Sequence, residues 1–144
     1  MKNASNVGKA FFDSNIFLYM QSSADPPKQV RARELVEYYG SSDRIVVSTQ
    51  VVQEFFSVGS RKLALPREQL KQTVTNLLSY PLVLLGPSHI KKAIENEEQY
   101  QISFWDALIL AAAESGGAEV LYTEDLNHGQ QYGPVLVRNP FKDG

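Results

Sequence analysis

Four acidic residues stand where acids are awkward: Asp13, Glu54, Asp106 and Asp125. Asp13 closes the short apolar run Ala10-Phe11-Phe12 and is followed by Ser14 and Asn15, both good helix N-caps. The pattern reads as a buried strand, a turn and a helix, with the carboxylate at the strand's carboxyl end, where open parallel sheets gather ligands. Glu54 lies three residues after Val51, on the face that Val51, Phe55 and Val58 mark as a buried helical stripe. A lone carboxylate there needs a cation or hydrogen-bond donors. The plain alternative is a helix-edge glutamate that reaches water or pairs with Arg61. Asp106 falls in the first turn of Phe104–Ser115, a helix apolar nearly all round and therefore a core helix. With Ser103 it imitates a capping box, and capping is compatible with metal binding. Asp125 follows the strand Val120-Leu121-Tyr122-Thr123 and, taken singly, is a common turn acid.

Together the four make a different case. Clustered carboxylates repel, and a structural core has no use for them, whereas a hard divalent cation takes oxygen ligands and keeps positions for water and phosphate. One or two such ions would activate a water and stabilise the leaving oxygen of a phosphodiester. The chain has two histidines, His89 and His128, neither with a ligand-spaced partner, and no cysteine, which disfavours zinc and excludes thiolate chemistry within the chain. No glycine-rich phosphate loop is present, so no nucleotide cofactor is expected.

Bringing four distant acids together requires a particular architecture. The pattern predicts strands at 10–12, 44–47, 82–85, 120–123 and 135–137. Helices are expected after Ser14 or Asn15, over 28–39 with Gly40 as stop, and from a Ser48 or Thr49 cap to about residue 60. Further helices are expected from Pro66 to Ser79, from a Ser88 cap over 89–100, and from a Ser103 cap over 104–115, closed by Gly116-Gly117. Strands alternating with helices imply right-handed crossovers and an α/β, three-layer fold on a central parallel sheet of about five strands. In such a sheet the strand ends share one rim, where Asp13 and Asp125 would meet the inward-facing Glu54 and Asp106.

Composition agrees with one domain over residues 1–144, its polar first eight residues forming an extension with no signal-peptide character. The longest apolar run, 107–113, is far short of the ~20 residues of a membrane span, so a cytoplasmic protein without membrane contact is expected. Net charge is −2, and setting the four acids aside leaves 14 basic and 12 acidic side chains, a mildly basic remainder. Arg61, Lys62, Arg67 and Lys71 are its densest group, and Arg61 and Lys62 are the candidates for holding substrate phosphates, with Lys91 and Lys92 as the alternative.

The segments Phe11-Phe12-Asp13-Ser14-Asn15, Val51-Val52-Gln53-Glu54-Phe55, Ser103-Phe104-Trp105-Asp106-Ala107-Leu108-Ile109 and Leu121-Tyr122-Thr123-Glu124-Asp125-Leu126 together resemble a PIN domain, particularly the VapC-type toxin nucleases. The resemblance spans residues 9 to about 138. It implies a Mg²⁺- or Mn²⁺-dependent ribonuclease, usually homodimeric and often held by a cognate antitoxin, with Asp13, Glu54, Asp106 and Asp125 as the acidic ligands. It further implies that Asn15 and Thr123 orient the site. Where many relatives carry one more acid, this chain has Asn127 and His128.

Other readings have less behind them. A haloacid-dehalogenase-type phosphatase needs a second acid two residues after the first, and Asn15 stands there. A phosphoacceptor receiver wants an acid ending the third strand, which here runs into Gly86-Pro87. The alternative that remains is a PIN-like scaffold that binds RNA or a protein without cutting.

Overall fold

A computed structural model describes residues 8–142, so the expected extension over residues 1–8 lies, but for Gly8, outside the described residues. Six strands, β1 (Ala10–Phe12), β2 (Ile45–Ser48), β3 (Leu82–Val83), β4 (Val120–Tyr122), β5 (Gln131–Tyr132) and β6 (Val135–Arg138), form one sheet in the order β3-β2-β1-β4-β6-β5. Every pairing is parallel except β5 with β6. The central strand β1 is fully buried, and β2 is buried throughout, as parallel strands covered on both faces must be.

Among the described residues six helices flank the sheet: α1 (Ser14–Gln21), α2 (Pro26–Gly40), α3 (Thr49–Arg61), α4 (Arg67–Leu78), α5 (Pro87–Tyr100) and α6 (Phe104–Ser115). This is the expected α/β architecture with one more strand. The addition, β5, is a two-residue antiparallel edge strand hairpinned to β6 through Gly133, whose φ of +57° suits glycine.

Several helix starts differ by a residue or two from expectation. Helix α1 is capped by Asp13, whose side chain accepts from the Ser14 N–H, and not by Ser14 or Asn15. Pro66 precedes α4 as its N-cap instead of opening it. Helix α5 begins at Pro87 after Gly86, a residue before the expected Ser88 cap. Helix α6 has the expected bounds, and its Ser103 hydroxyl accepts from the Asp106 N–H.

The topology locates the important edge. From β1 the chain builds outward through β2 and β3, then crosses back to lay β4 on the other side of β1. The strand order therefore reverses between β1 and β4, and the crevice at the carboxyl ends of these strands is the place for a ligand in such sheets. A Tyr122 carbonyl to Asp13 N–H bond of 3.0 Å carries the pairing of β1 and β4 to that edge. Beneath it Phe12, Tyr39 and Tyr122 pack with ring centroids 5.3–5.7 Å apart, and the two tyrosine hydroxyls share a hydrogen bond of 2.9 Å. The floor of the crevice is thus closely packed.

Candidate functional site

Asp13 sits at the centre of the edge, only 4% exposed. Capping α1 fixes one carboxylate oxygen on the Ser14 N–H at 2.7 Å, and the Thr123 hydroxyl donates to the other at 2.8 Å. Burial pushes its pKa up to about 7. The two hydrogen bonds oppose that rise, while the charges of Glu54 and Asp125 add to it.

Thr123, directly after β4, is buried and works in several directions. Its oxygen accepts from the Asp125 N–H at 3.1 Å and from the Asn15 amide at 3.5 Å. Asn15, on the first turn of α1, also donates to the Asp125 carboxylate at 3.2 Å. Asp125 is raised above the usual carboxylate range by desolvation, then by the charges of Asp106 and Glu124, with the Asn15 contact acting the other way.

Glu54 reaches the same edge from α3. Its carboxylate accepts from the Ser14 hydroxyl at 3.0 Å and from the Gln50 amide at 2.9 Å. Among the described residues no ion pair joins it to Arg61, so the alternative of a surface pair is not what the fold makes. Asp106 arrives on the first turn of α6, raised by desolvation and by the charge of Glu54, with the Ser103 hydroxyl opposing.

Asp13 therefore feels the charges of Glu54 and Asp125, to which Ser14, Thr123 and Asn15 connect it, while Asp106 is coupled only by charge, to Glu54 and Asp125. The four acids do not close into a tight chelate. Among the described residues no three Asp, Glu or His side chains converge closely enough to hold one ion between them.

Glu124, beside Asp125, is taken up elsewhere: it accepts from the Tyr19 hydroxyl at 2.6 Å and from Lys28 at 3.0 Å. Each histidine uses Nδ1 to accept a backbone N–H, His89 from Gly86 at 3.0 Å and His128 from Asn139 at 2.9 Å. The proton of His89 is then on Nε2, which faces the Ser115 hydroxyl at 2.9 Å as a donor and cannot serve as its base.

The basic candidates are placed unequally. Arg61 ends α3 as an exposed side chain, and Lys62 follows it. Lys62 lines a cavity of about 370 Å³ together with Asn15, Leu18, Val58, Leu63 and Glu124, so it borders the carboxylate edge through Asn15.

Sequence reasoning passed over two residues that the fold brings to this edge. Ser14 reads as a helix cap, yet its hydroxyl serves Glu54. Gln50 reads as a polar residue on a helix, yet it is 6% exposed and holds both Glu54 and the Trp105 carbonyl. Its position one turn before Glu54 was the available signal. The carbonyl oxygens of Asn15 and Gln50 are both buried without a partner.

Comparison with known proteins adds the following. A sequence model of the PIN domain matches residues 10–132. Among solved structures, a toxin-antitoxin complex from Klebsiella pneumoniae superposes with a TM-score of 0.68 at 21% identity, covering 92% of this chain and 98% of that one. VapC20 of Mycobacterium tuberculosis, described as a sarcin-ricin loop cleaving toxin, superposes with a TM-score of 0.64 at 16% identity, covering 78% of this chain and 87% of that one. At these identities the likeness is one of fold. No curated protein matches the sequence.

Proposed function

The chain belongs to the PIN domain family, and from that premise we propose that it is a divalent-metal-dependent endoribonuclease, the toxin of a toxin-antitoxin pair. The observation that carries the reading is Asp13: a buried carboxylate at the switch point of the sheet, raised to about 7, with Glu54 and Asp125 in electrostatic reach and Asp106 coupled to both of those. That arrangement costs stability until a cation offsets it.

The donor set fits a hard cation, since it offers carboxylate oxygens, a hydroxyl and amide carbonyls and no sulfur. Mg²⁺ keeps several waters and is commonly bound through one or two carboxylates, so it does not require a three-acid chelate. Asp13, Glu54, Asp106 and Asp125 would hold Mg²⁺ or Mn²⁺ directly or through its waters. When bound, the ion supplies an activated water and charge stabilisation at the scissile phosphate. Thr123 and Ser14 keep the Asp13 and Glu54 carboxylates aimed by hydrogen bonding, and Asn15 does the same for Asp125. Arg61 and Lys62 hold the RNA backbone beside them.

Residues 1–144 act as one domain, in the cytoplasm where the RNA is. A second copy of the chain is supported by Ile90 and Ile94, one turn apart on α5 and about half exposed, with Leu84 69% exposed. Sedimentation equilibrium tests that assembly. A cognate antitoxin is the expected partner, to be sought in the neighbouring reading frame.

The deciding experiment incubates purified protein with single-stranded and structured RNA in Mn²⁺ or EDTA. Cleavage that EDTA abolishes is the expected result. RNA binding without cleavage would instead identify a scaffold that has lost its chemistry.

A further inference from the structure

Two helices bring acids to the crevice from opposite sides of the chain's order, α3 with Glu54 and α6 with Asp106. One side chain spans the gap between them. Gln50, on the first turn of α3, donates from Nε2 to the Glu54 carboxylate at 2.9 Å and to the Trp105 carbonyl, one residue before Asp106, at 3.3 Å. Both partners are acceptors, so the amide orientation is fixed: reversing it would set oxygen against oxygen. The carbonyl oxygen Oε1 is therefore held in place, buried, and given no donor.

A buried acceptor without a donor is costly, and in native proteins it calls for an explanation. Asn15 repeats the arrangement on the other side of the crevice. Its amide N–H groups go to Asp125 and Thr123, and its Oδ1 is likewise buried without a partner. The edge thus spends these N–H donors on two carboxylates, a carbonyl and a hydroxyl, and keeps two amide oxygens facing no donor of its own. Such an acceptor is completed either by an internal water or by an O–H group that arrives with a ligand.

We propose that Gln50 is a positioning residue of the nuclease: its amide N–H groups fix the separation of Glu54 and the first turn of α6, and its Oε1 accepts a hydrogen bond from a hydroxyl brought by the cation's water or by the ribose of the RNA. The inference rests on the nuclease reading and extends it to a residue outside the four acids.

The test uses the full chain and two variants. Gln50→Met keeps the shape and removes both functions. Gln50→Lys keeps a donor for Glu54 and the Trp105 carbonyl, removes the acceptor and adds a charge beside Glu54, so its kcat is read at Mn²⁺ saturating for that variant. Trp105 is the only tryptophan, so its emission reports directly on the turn that Gln50 holds. Three quantities are read: Trp105 emission during Mn²⁺ titration, kcat and KM on a single-stranded RNA, and melting temperature in EDTA.

In Gln50→Met the Mn²⁺ midpoint rises and kcat falls, each by about 10- to 100-fold, as for other residues that orient metal ligands. KM and the EDTA melting temperature stay close to wild type. Gln50→Lys restores the metal-free emission of Trp105 but not kcat. The two sources of the hydroxyl separate on an oligonucleotide carrying one 2′-deoxyribose at the cleavage position. If the wild-type preference for the all-RNA strand disappears in Gln50→Lys, the donor is the ribose; if it persists, the donor is the cation's water.

Wild-type kcat and Mn²⁺ midpoint in Gln50→Met would reduce Gln50 to packing and overturn the proposal, leaving the nuclease reading intact. Full kcat in Gln50→Lys overturns the acceptor role even where Gln50→Met fails to fold. A wild type that neither cleaves nor responds to Mn²⁺ overturns the nuclease reading and the Gln50 assignment together.

Discussion

Asp13 holds two positions at once, the end of β1 and the cap of α1, and burial in that corner sets its proton. In the unfolded chain it titrates near 3.8; in the folded, metal-free chain near 7. Between those values the folded state binds a proton that the unfolded state has lost, so the stability it contributes is full below 3.8 and is lost as pH rises through about 7. Melting curves in EDTA across that window should show wild-type stability falling with pH, and Asp13→Asn should remove most of the slope. Mn²⁺ competes with the same proton, so its affinity should climb through the same window in the wild type. Asp106 makes a complementary case. Its backbone N–H, which asparagine retains, donates to Ser103, and its side-chain contact with the Ser103 hydroxyl is one that an asparagine oxygen can also accept. Asp106→Asn should therefore abolish cleavage while leaving the metal-free melting temperature unchanged or higher, by on the order of 1 kcal/mol, because one repelling charge is gone. Mn²⁺ at 100 times its dissociation constant should stabilise the wild type by about 2.7 kcal/mol and the variant by less. An intact nuclease in Asp106→Asn would remove Asp106 from the metal site.

At the scale of elements, close approach of helix and sheet is what holds α6 and its acid in place. Gly116 caps α6 against the sheet, where an added Cβ would come within 2.7 Å of Val46 Cγ1 and 3.0 Å of Val83 Cγ2. Both neighbours are β-branched residues on strands and have little room to turn. Gly116→Ala should cost roughly 1–3 kcal/mol in chemical denaturation, the usual range for overpacking. Helix α6 was readable to the residue because a serine cap, an unbroken apolar run and a glycine stop all agree along the chain. The start of α1 was not, because Asp13, Ser14 and Asn15 can all cap. What assigns them is tertiary: Ser14 is claimed by Glu54, and Asn15 by Asp125 and Thr123. Strand β5 left only a faint trace, two residues before Gly133-Pro134, too short for periodicity to register. Gln50 is the instructive omission. Its spacing to Glu54 hints at that contact, but nothing along the chain points to the Trp105 carbonyl, which is 55 residues away.

At the scale of the whole molecule, the order β3-β2-β1-β4-β6-β5 sets Asp13 and Asp125 beyond neighbouring parallel strands, with Glu54 in electrostatic reach of Asp13 and Asp106 in reach of Glu54 and Asp125. This carboxylate edge is negative, yet its proposed substrate is a polyanion, so the approach must be made from a basic side. With the four acids set aside the remaining side chains carry a surplus of +2, too small to steer RNA by net charge. Local placement has to supply the attraction. Lys62 is the basic residue lining the cavity that shares Asn15 with the carboxylate edge, and Arg61 precedes it at the exposed end of α3. If each holds one phosphate of a single strand, each releases a condensed counterion on binding, and log affinity against log salt has a slope of about −0.7 per contact. Replacing both by alanine should weaken RNA binding in EDTA and flatten that slope by about 1.4. The chemistry is untouched by the change, so kcat in Mn²⁺ at saturating RNA should hold while KM rises. An unaltered slope would take the RNA off the α3 side and over α5, which carries Lys91 and Lys92.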